Sequence, residues 1–349
     1  MIRRNGKKGN YAYTVARVKA KKAKLLGEED YDKMLMMSVP EISRYISETG
    51  YSKEMTDLAG RLSGLDLLEH ATHLNMAKAF SSILLSSSGE LYDMVSAYLD
   101  KWDIWNLKVI LRGKSYGLNA EGIKEDLVPA GRLSAESLDK LMALESDDEI
   151  LANFGKITHM SFPQEVIASY KASGNLGEIE DFLEKMHYIR LMNNISPASR
   201  PTLLFLNYIR EEVDIKNFET ILKLKSEGIY GEPVMKYLIP KGRKIDERML
   251  ALFANAEDMS SVMSEVSQLE FGEAVKAALE ANDTTAAVAA LKRFGLNKAK
   301  KFSHLYPLSV IPVVDYMIHK ELEIKNIRAI ARGTESGLDR ETIKGLLVI

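Results

Sequence analysis

The sequence predicts an all-α protein that contains three copies of one helical unit. Two observations support this prediction. Apolar residues recur at spacings of three and four along most of the chain, as between Glu178 and Asn193, and one segment of more than twenty residues recurs twice. The chain has 349 residues, of which 46% are apolar and 28% are charged, so each unit is large enough to bury its own core.

The repeat is clearest in a motif of an acid, two variable residues, an asparagine and an apolar residue. The motif occupies Asp103–Leu107, Asp214–Phe218 and Glu323–Ile327, at offsets of 111 and then 109 residues. Apolar residues recur on one helical face from this motif onward, so we expect each copy to bury that face and its acid to cap the helix N-terminus. The apolar positions are Ile104, Leu107, Ile110 and Leu111; Ile215, Phe218, Ile221 and Leu222; and Ile324, Ile327, Ile330 and Ala331.

Each copy continues with a glycine, an apolar residue and a second short helix. The glycine predicts a left-handed residue that ends the preceding helix. A Pro-x-Gly-Arg segment then follows in the first two copies, at residues 129–132 and 240–243. The glycine pairs are Gly117-Leu118, Gly228-Ile229 and Gly337-Leu338.

The front of each unit repeats more weakly, at residues 32–37, 139–144 and 248–252. We therefore predict three homologous units at residues 1–131, 132–242 and 243–349. This period is longer than that of the common helical solenoids, whose repeats are roughly 33 to 47 residues.

The N-terminal segments Asn10–Ala20 and Leu25–Tyr31 carry a family resemblance. Their sequences, NYAYTVARVKA and LLGEEDY, resemble the start of the C subunit of archaeal-type (A-type/V-type) ATP synthases, which is related to the d subunit of vacuolar ATPases. That family also carries three acid-x-x-Asn-apolar helices, each followed by a Gly-apolar turn. The resemblance covers essentially the whole chain, although the lysine-rich stretch Lys19–Lys24 departs from the pattern.

The resemblance implies a funnel of three helical lobes and a mechanical function. The implied protein is a non-catalytic subunit on the cytoplasmic face of the cell membrane, joining the central-stalk subunits to the membrane rotor ring during ion-driven ATP synthesis. It needs no cofactor, metal or small-molecule substrate, and the net charge of −2 does not favour a nucleic-acid partner. We expect no membrane span, because the most apolar stretch, Leu305–Ile318, is interrupted by two prolines and an aspartate.

One segment resembles a nucleotide-binding motif. Gly113-Lys114-Ser115 matches the end of a phosphate-binding loop, but the first glycine of that motif is replaced by Lys108. The segment is also predicted to lie near a helix C-terminus, where the helix dipole disfavours phosphate. We therefore expect no nucleotide site here.

Two further groups of polar residues carry weak signals. His70 and His73 share a helix face and could offer two metal ligands, but a polar rim on an interior helix is the favoured interpretation. The acidic run 147–149 is expected to lie at a helix start, where acids complement the dipole. Two other functions stay open at this point: a helical scaffold or adaptor module unrelated to ATP synthase, and an all-helical enzyme that holds magnesium and a diphosphate at residues 147–149.

The candidate partner interface consists of Arg112, Lys223 and Arg332, which occupy the same position in each copy. On an ideal helix they lie roughly 100° or more from the apolar face, so they could form a basic ring in a three-fold funnel. The alternative is that each complements the C-terminal end of its own helix.

A second candidate surface is the basic N-terminal segment, which could contact anionic lipid headgroups or an acidic partner. The alternative is a solvated helix face with a frayed start. Its basic residues are Arg3, Arg4, Lys7, Lys8, Arg17, Lys19, Lys21, Lys22 and Lys24.

Overall fold

A computed structural model describes residues 8–348 of the chain. Between these residues the backbone forms helices and turns and no strand, which confirms the all-α prediction. The chain divides into two compact units, Met1–Glu178 with Pro312–Ile349, and Ile179–Ile311. The three predicted repeat boundaries stay a prediction, whereas the repeated helical motif is present in each copy.

The first unit holds the N-terminal helices and the two last helices of the described chain. Its long helices bury large side chains such as Phe80, Leu107 and Ile327. Its helices are α1 (Tyr11–Lys22), α2 (Glu28–Met34), α3 (Val39–Ser47), α4 (Ser52–Leu58), α5 (Gly64–Ser86), α6 (Glu90–Ser115), α7 (Ala120–Glu125), α8 (Ala135–Met142), α9 (Asp147–Thr158), α10 (Gln164–Ser173), α18 (Ile311–Glu335, from its second residue) and α19 (Arg340–Leu346).

The second unit has its own core. Phe218 and Phe253 meet edge to face, with ring centroids 5.5 Å apart, and both are completely buried. Its helices are α11 (Gly177–Asn194, from its third residue), α12 (Arg200–Ser226), α13 (Glu232–Met235), α14 (Glu247–Asn255), a 3₁₀ turn (Met259–Val262), α15 (Met263–Val266), α16 (Gly272–Glu280) and α17 (Thr284–Leu305).

The three glycines end their long helices as predicted. Gly117, Gly228 and Gly337 have φ angles of 71°, 77° and 71°, a left-handed conformation that glycine adopts at little cost. The next residue in each copy donates its N–H to a carbonyl five residues earlier, as from Leu118 to Gly113 at 2.9 Å. This pattern is the Schellman motif, and the predicted short helices α7, α13 and α19 follow it.

The prediction that the repeated acids cap helix N-termini is wrong. The long helices begin at Glu90, Arg200 and Ile311, well before the motif, so Asp103, Asp214 and Glu323 lie inside them. All three acids are at most 4% exposed. The helical period continues without interruption through each acid, and each carboxylate instead receives backbone N–H groups from another segment.

The repeated asparagines hold the chain just after each short helix. Asn106 donates to the carbonyl of Val128 at 2.8 Å and accepts from its N–H at 2.7 Å. Asn217 makes the same pair of bonds with Ile239, and Asn326 makes them with Val348. Each asparagine thus binds both backbone groups of a residue 22 positions later.

Candidate interaction surface

The three residues of the predicted interface lie in the last turns of their long helices. Arg112, Lys223 and Arg332 are exposed, whereas the apolar face of each helix is buried. Arg112 and Arg332 belong to the first unit, and Lys223 belongs to the second. Basic residues here also complement the carbonyl ends of their helices, so this part of the alternative interpretation holds.

In the first unit, Arg332 belongs to an ionic cluster between α5 and α18. Its guanidinium donates to Glu69, and Arg328 donates to the same carboxylate at 3.0 Å and contacts His73 Nε2 at 2.9 Å. Burial alone would raise the pKa of Glu69, but the hydrogen bond from Arg332 and the charge of Arg328 outweigh it and lower that pKa. The negative charge of Asp126 also acts on Arg332, so two acids oppose the two arginines of the cluster.

His73 is buried in this cluster in its neutral form. Burial, and after it the positive charge of Arg328, lower the pKa of His73 to about 4 against the opposing charge of Glu69. His70 on the preceding turn contacts the backbone oxygen of Glu125 at 2.7 Å. The two histidines therefore face different partners, and within residues 8–348 no cluster of three metal-ligating side chains forms.

The surface around Arg112 and Arg332 extends along α6 and α18, where some basic residues are exposed and others are half-buried. On α6, Lys101 and Lys108 precede Arg112 at helical spacing, and on α18, Lys325 and Arg328 precede Arg332. Lys101 pairs with Glu321 at 2.6 Å, which shows that the two helices meet on this face. We call these six basic residues, Lys101, Lys108, Arg112, Lys325, Arg328 and Arg332, the basic face.

In the second unit, the corresponding face carries mixed charge. Lys223 pairs with Glu219 at 2.6 Å within α12, and Lys292 on α17 lies 3.9 Å from the same carboxylate. The side chain of Lys223 is 54% exposed. An exposed pair of this kind contributes about 0–1 kcal/mol to stability, so Lys223 remains able to exchange its partner.

The loops that follow the short helices are bound by the repeated aspartates. Arg132 N–H donates to Asp103 at 2.9 Å and Leu133 N–H donates at 3.0 Å. Gly131 is required beside this carboxylate, because a Cβ atom there would overlap it. Asp214 and Gly242 repeat the arrangement with the N–H groups of residues 243–245.

The other candidate motifs have structural surroundings. Gly113-Lys114-Ser115 forms the last turn of α6, which confirms its predicted position near a helix C-terminus. The ammonium of Lys114 donates to the carbonyl of Leu144 at 2.7 Å. The acidic run 147–149 forms the first turn of α9, which confirms its predicted position at a helix start. Lys171 pairs with Asp148 at 2.6 Å, and Tyr170 donates to Asp147.

The basic N-terminal segment is partly described. Arg3, Arg4 and Lys7 lie outside the described residues. Lys22 forms an ion pair with the buried carboxylate of Asp315 at 2.6 Å. Lys22 therefore does not belong to a surface that binds lipid. The remaining residues of the segment stay a candidate lipid contact. None of the helices within residues 8–348 is both long and apolar enough to cross a bilayer.

Sequence reasoning missed the partners of the basic residues. Glu69 is separated from Arg332 by 263 residues, and no spacing rule connects them. The basic face itself could have been found, because its members recur at spacings of three, four and seven on two copies of the same helix.

Comparison with known proteins decides the family. The family model of the ATP synthase (C/AC39) subunit matches residues 14–346. The chain belongs to this family. It is 34% identical to the C subunit of the A-type ATP synthase of Methanococcoides burtonii, over 100% of this chain and 97% of that protein. The corresponding C subunits of Methanosarcina acetivorans and Halobacterium salinarum are 36% and 31% identical, over 98% and 97% of this chain and 94% and 98% of theirs.

Membership confirms the predicted resemblance and excludes an unrelated adaptor or a diphosphate-binding enzyme. The chain is a non-catalytic subunit of an ATP synthase, a membrane-associated complex, and its partners lie within that complex. The absence of a catalytic role agrees with the surroundings of Lys114 and of residues 147–149, whose polar groups bind neighbouring residues of the fold.

Proposed function

We propose that this protein couples the central stalk of an A-type ATP synthase to its membrane rotor ring. In this proposal it is a funnel of three helical lobes on the cytoplasmic face of the membrane, and it passes torque between the ring and the stalk during ion-driven ATP synthesis. The family match along residues 14–346 and the motif repeated in α6, α12 and α18 support the proposal.

The basic face of the first unit is the observation that supports a proposal for how a stalk or ring protein is bound. The chain has a net charge of −2, yet the first unit gathers six basic residues on α6 and α18, where Glu321 pairs with Lys101 and Glu69 pairs with Arg328 and Arg332. Trp105, 41% exposed, lies on the same face of α6. Such a surface suits an acidic, partly apolar partner, and it includes Arg112 and Arg332, two of the three predicted interface residues. Lys223 adds a basic residue at the equivalent place in the second unit.

The test is a variant that removes the charges while keeping the fold. Because Arg332 pairs with Glu69, a glutamate there would repel a buried acid, so the variant combines Arg112→Glu and Lys223→Glu with Arg332→Gln. Each exposed contact contributes about 0–1 kcal/mol, and three together about 2–3 kcal/mol. We therefore expect roughly hundredfold weaker binding to the stalk or ring proteins, and raised salt should weaken wild-type binding in the same way.

A matched control carries the same change of charge on other exposed positions: Lys140→Glu, Lys276→Glu and Arg340→Gln. This control should bind normally, with an unchanged circular dichroism spectrum. In reconstituted membranes the interface variant should lose ion-driven ATP synthesis while the catalytic head retains ATP hydrolysis. Normal binding and normal coupled synthesis by the interface variant would contradict the proposal and would show that these residues only complement the C-terminal ends of their helices.

A further inference from the structure

We call the contact that holds the segment between one copy and the next a joint. The joints after copies 1 and 2 are held by the same arrangement of ion pairs. A carboxylate three residues before the repeated aspartate binds the arginine of the Pro-x-Gly-Arg loop: Asp100 binds Arg132 at 2.6 Å, and Glu211 binds Arg243. The loop therefore gives its backbone N–H groups to one acid and its guanidinium to another. Each joint holds the segment that leads into the first helix of the next copy, α8 or α14.

Copy 3 reverses the charge at the first of these two acidic positions. Lys320 stands where the copies before it have Asp100 and Glu211, and its ammonium pairs with Glu323 at 3.0 Å. Lys320 is 5% exposed and lies 3.9 Å from the ring centroid of Tyr51. The cation that the loop arginine supplies in the earlier copies is thus supplied by α18 itself.

The backbone donor of this third joint comes from the other end of the described chain. Leu26 N–H donates to Glu323 at 2.9 Å across a sequence separation of 297 residues. Leu26 lies just before α2, the helix of copy 1 that corresponds to α8 and α14, as Arg132 and Arg243 lie just before those two helices. The segment before α2 therefore takes the place of the Pro-x-Gly-Arg loop.

Two ion pairs accompany this contact. Lys22 at the end of α1 binds Asp315, which is 1% exposed and also lies 3.0 Å from His319. Lys344 on α19 binds Asp32 on α2 at 2.8 Å. The second pair repeats one between copies 1 and 2, because Lys124 on α7 binds Asp139 on α8, also at 2.8 Å.

We propose that residues 22–32 and α18–α19 form an ionic clasp that closes the third joint of the repeat, and that this clasp opens locally while the helices stay folded. The clasp consists of Lys22, Leu26 and Asp32 on one side and Asp315, Glu323 and Lys344 on the other. Its partners approach from distant parts of the sequence, whereas the joints around Asp103 and Asp214 each lie within a stretch of about 30 residues. Opening the clasp breaks side-chain contacts and one backbone hydrogen bond without interrupting a helix, and it lets water reach the carboxylates of Asp315 and Glu323, which are 1% and 3% exposed.

Amide hydrogen exchange of the full-length chain tests the clasp. The Leu26 amide should exchange about tenfold faster than the Leu133 amide, its counterpart at the first joint, because local opening precedes global unfolding. Raising the salt from about 0.05 to 0.5 M should accelerate exchange at Leu26 and leave Leu133 unchanged, since Lys22 is 28% exposed to screening ions.

Variants locate the effect. Lys22→Gln should accelerate exchange at Leu26 further, and the swap of Lys22→Asp with Asp315→Lys should restore part of the protection. If Lys22→Gln does not fold, the exposed pair offers a milder change: Lys344→Gln should accelerate exchange in residues 25–34, whereas the matched Lys124→Gln should leave those residues unchanged. Equal exchange at Leu26 and Leu133, or exchange at Leu26 that follows global unfolding alone in every variant, would overturn the proposal.

Discussion

The joint around Asp103 and the joint around Asp214 bind their loops alike but place them in different electrostatic surroundings. In the first unit, the accompanying pair Asp100–Arg132 is partly exposed to solvent. In the second unit, Lys298 from α17 joins the equivalent pair and binds both Glu211 and Glu270, with Lys298 and Glu211 buried. The repeat therefore keeps the contacts that satisfy backbone groups and leaves the charges around them free to change.

The burial of the second joint changes how its groups titrate. Burial raises the pKa of Asp214, and the N–H groups of Lys244, Ile245 and Arg243 only partly offset the effect. Burial also lowers the pKa of Lys298, against the hydrogen bond and charge of Glu270. A buried network of this kind is sensitive to the loss of any one member, because the remaining charges keep their desolvation cost.

The largest expected effect concerns what the two joints share. Asn106→Leu and Asn217→Leu each leave a buried backbone N–H without its partner and remove a hydrogen bond to the carbonyl of the same residue, which together cost about 2–4 kcal/mol. Urea unfolding should show similar losses for both variants. The control Asn153→Leu, which removes one exposed hydrogen bond within α9, should lose less than about 1 kcal/mol. If only one of the two variants lost much stability, the joints around Asp103 and Asp214 would not be equivalent.

The next effect distinguishes the joints. Lys298→Met leaves Glu211 buried with one cation fewer, so we expect a loss of about 3 kcal/mol in the free energy of unfolding. Arg132→Met removes a partly exposed partner in the first unit and should cost about 1 kcal/mol or less. Adding Glu211→Gln to Lys298→Met should recover part of the loss. Equal losses in the two single variants would show that burial of the charges is unimportant.

The features that the joints around Asp103 and Asp214 share could be predicted from the sequence better than the ion pairs in which they differ. The glycines that end the helices follow from local geometry, and that prediction is confirmed. The repeated spacing of Asn106, Asn217 and Asn326 marks the same backbone contact in each copy. The acids were assigned wrongly because an apolar stripe marks the buried face of a helix and not its first residue. Partners such as Lys298 and Glu211 come from different helices, so their pairing depends on tertiary packing that no local spacing encodes.

The smallest expected effect concerns the two aspartates themselves. Asp103→Asn and Asp214→Asn each replace one accepting oxygen by an NH₂ group that faces a backbone N–H, at a cost of about 1–2 kcal/mol. Near neutral pH we expect Asp214→Asn to cost less than Asp103→Asn, because ionised Asp214 already carries an uncompensated desolvation penalty, as its raised pKa records. The folded pKa of Asp214 lies above its unfolded value, so the folded state takes up this proton first, and wild-type stability gains from it as pH falls from about 7 toward 4. The asparagine variant lacks that gain, so its deficit should widen as pH falls. Urea unfolding of wild type and both variants at several pH values measures this difference, and a deficit for Asp214→Asn that narrows on acidification would contradict the burial argument.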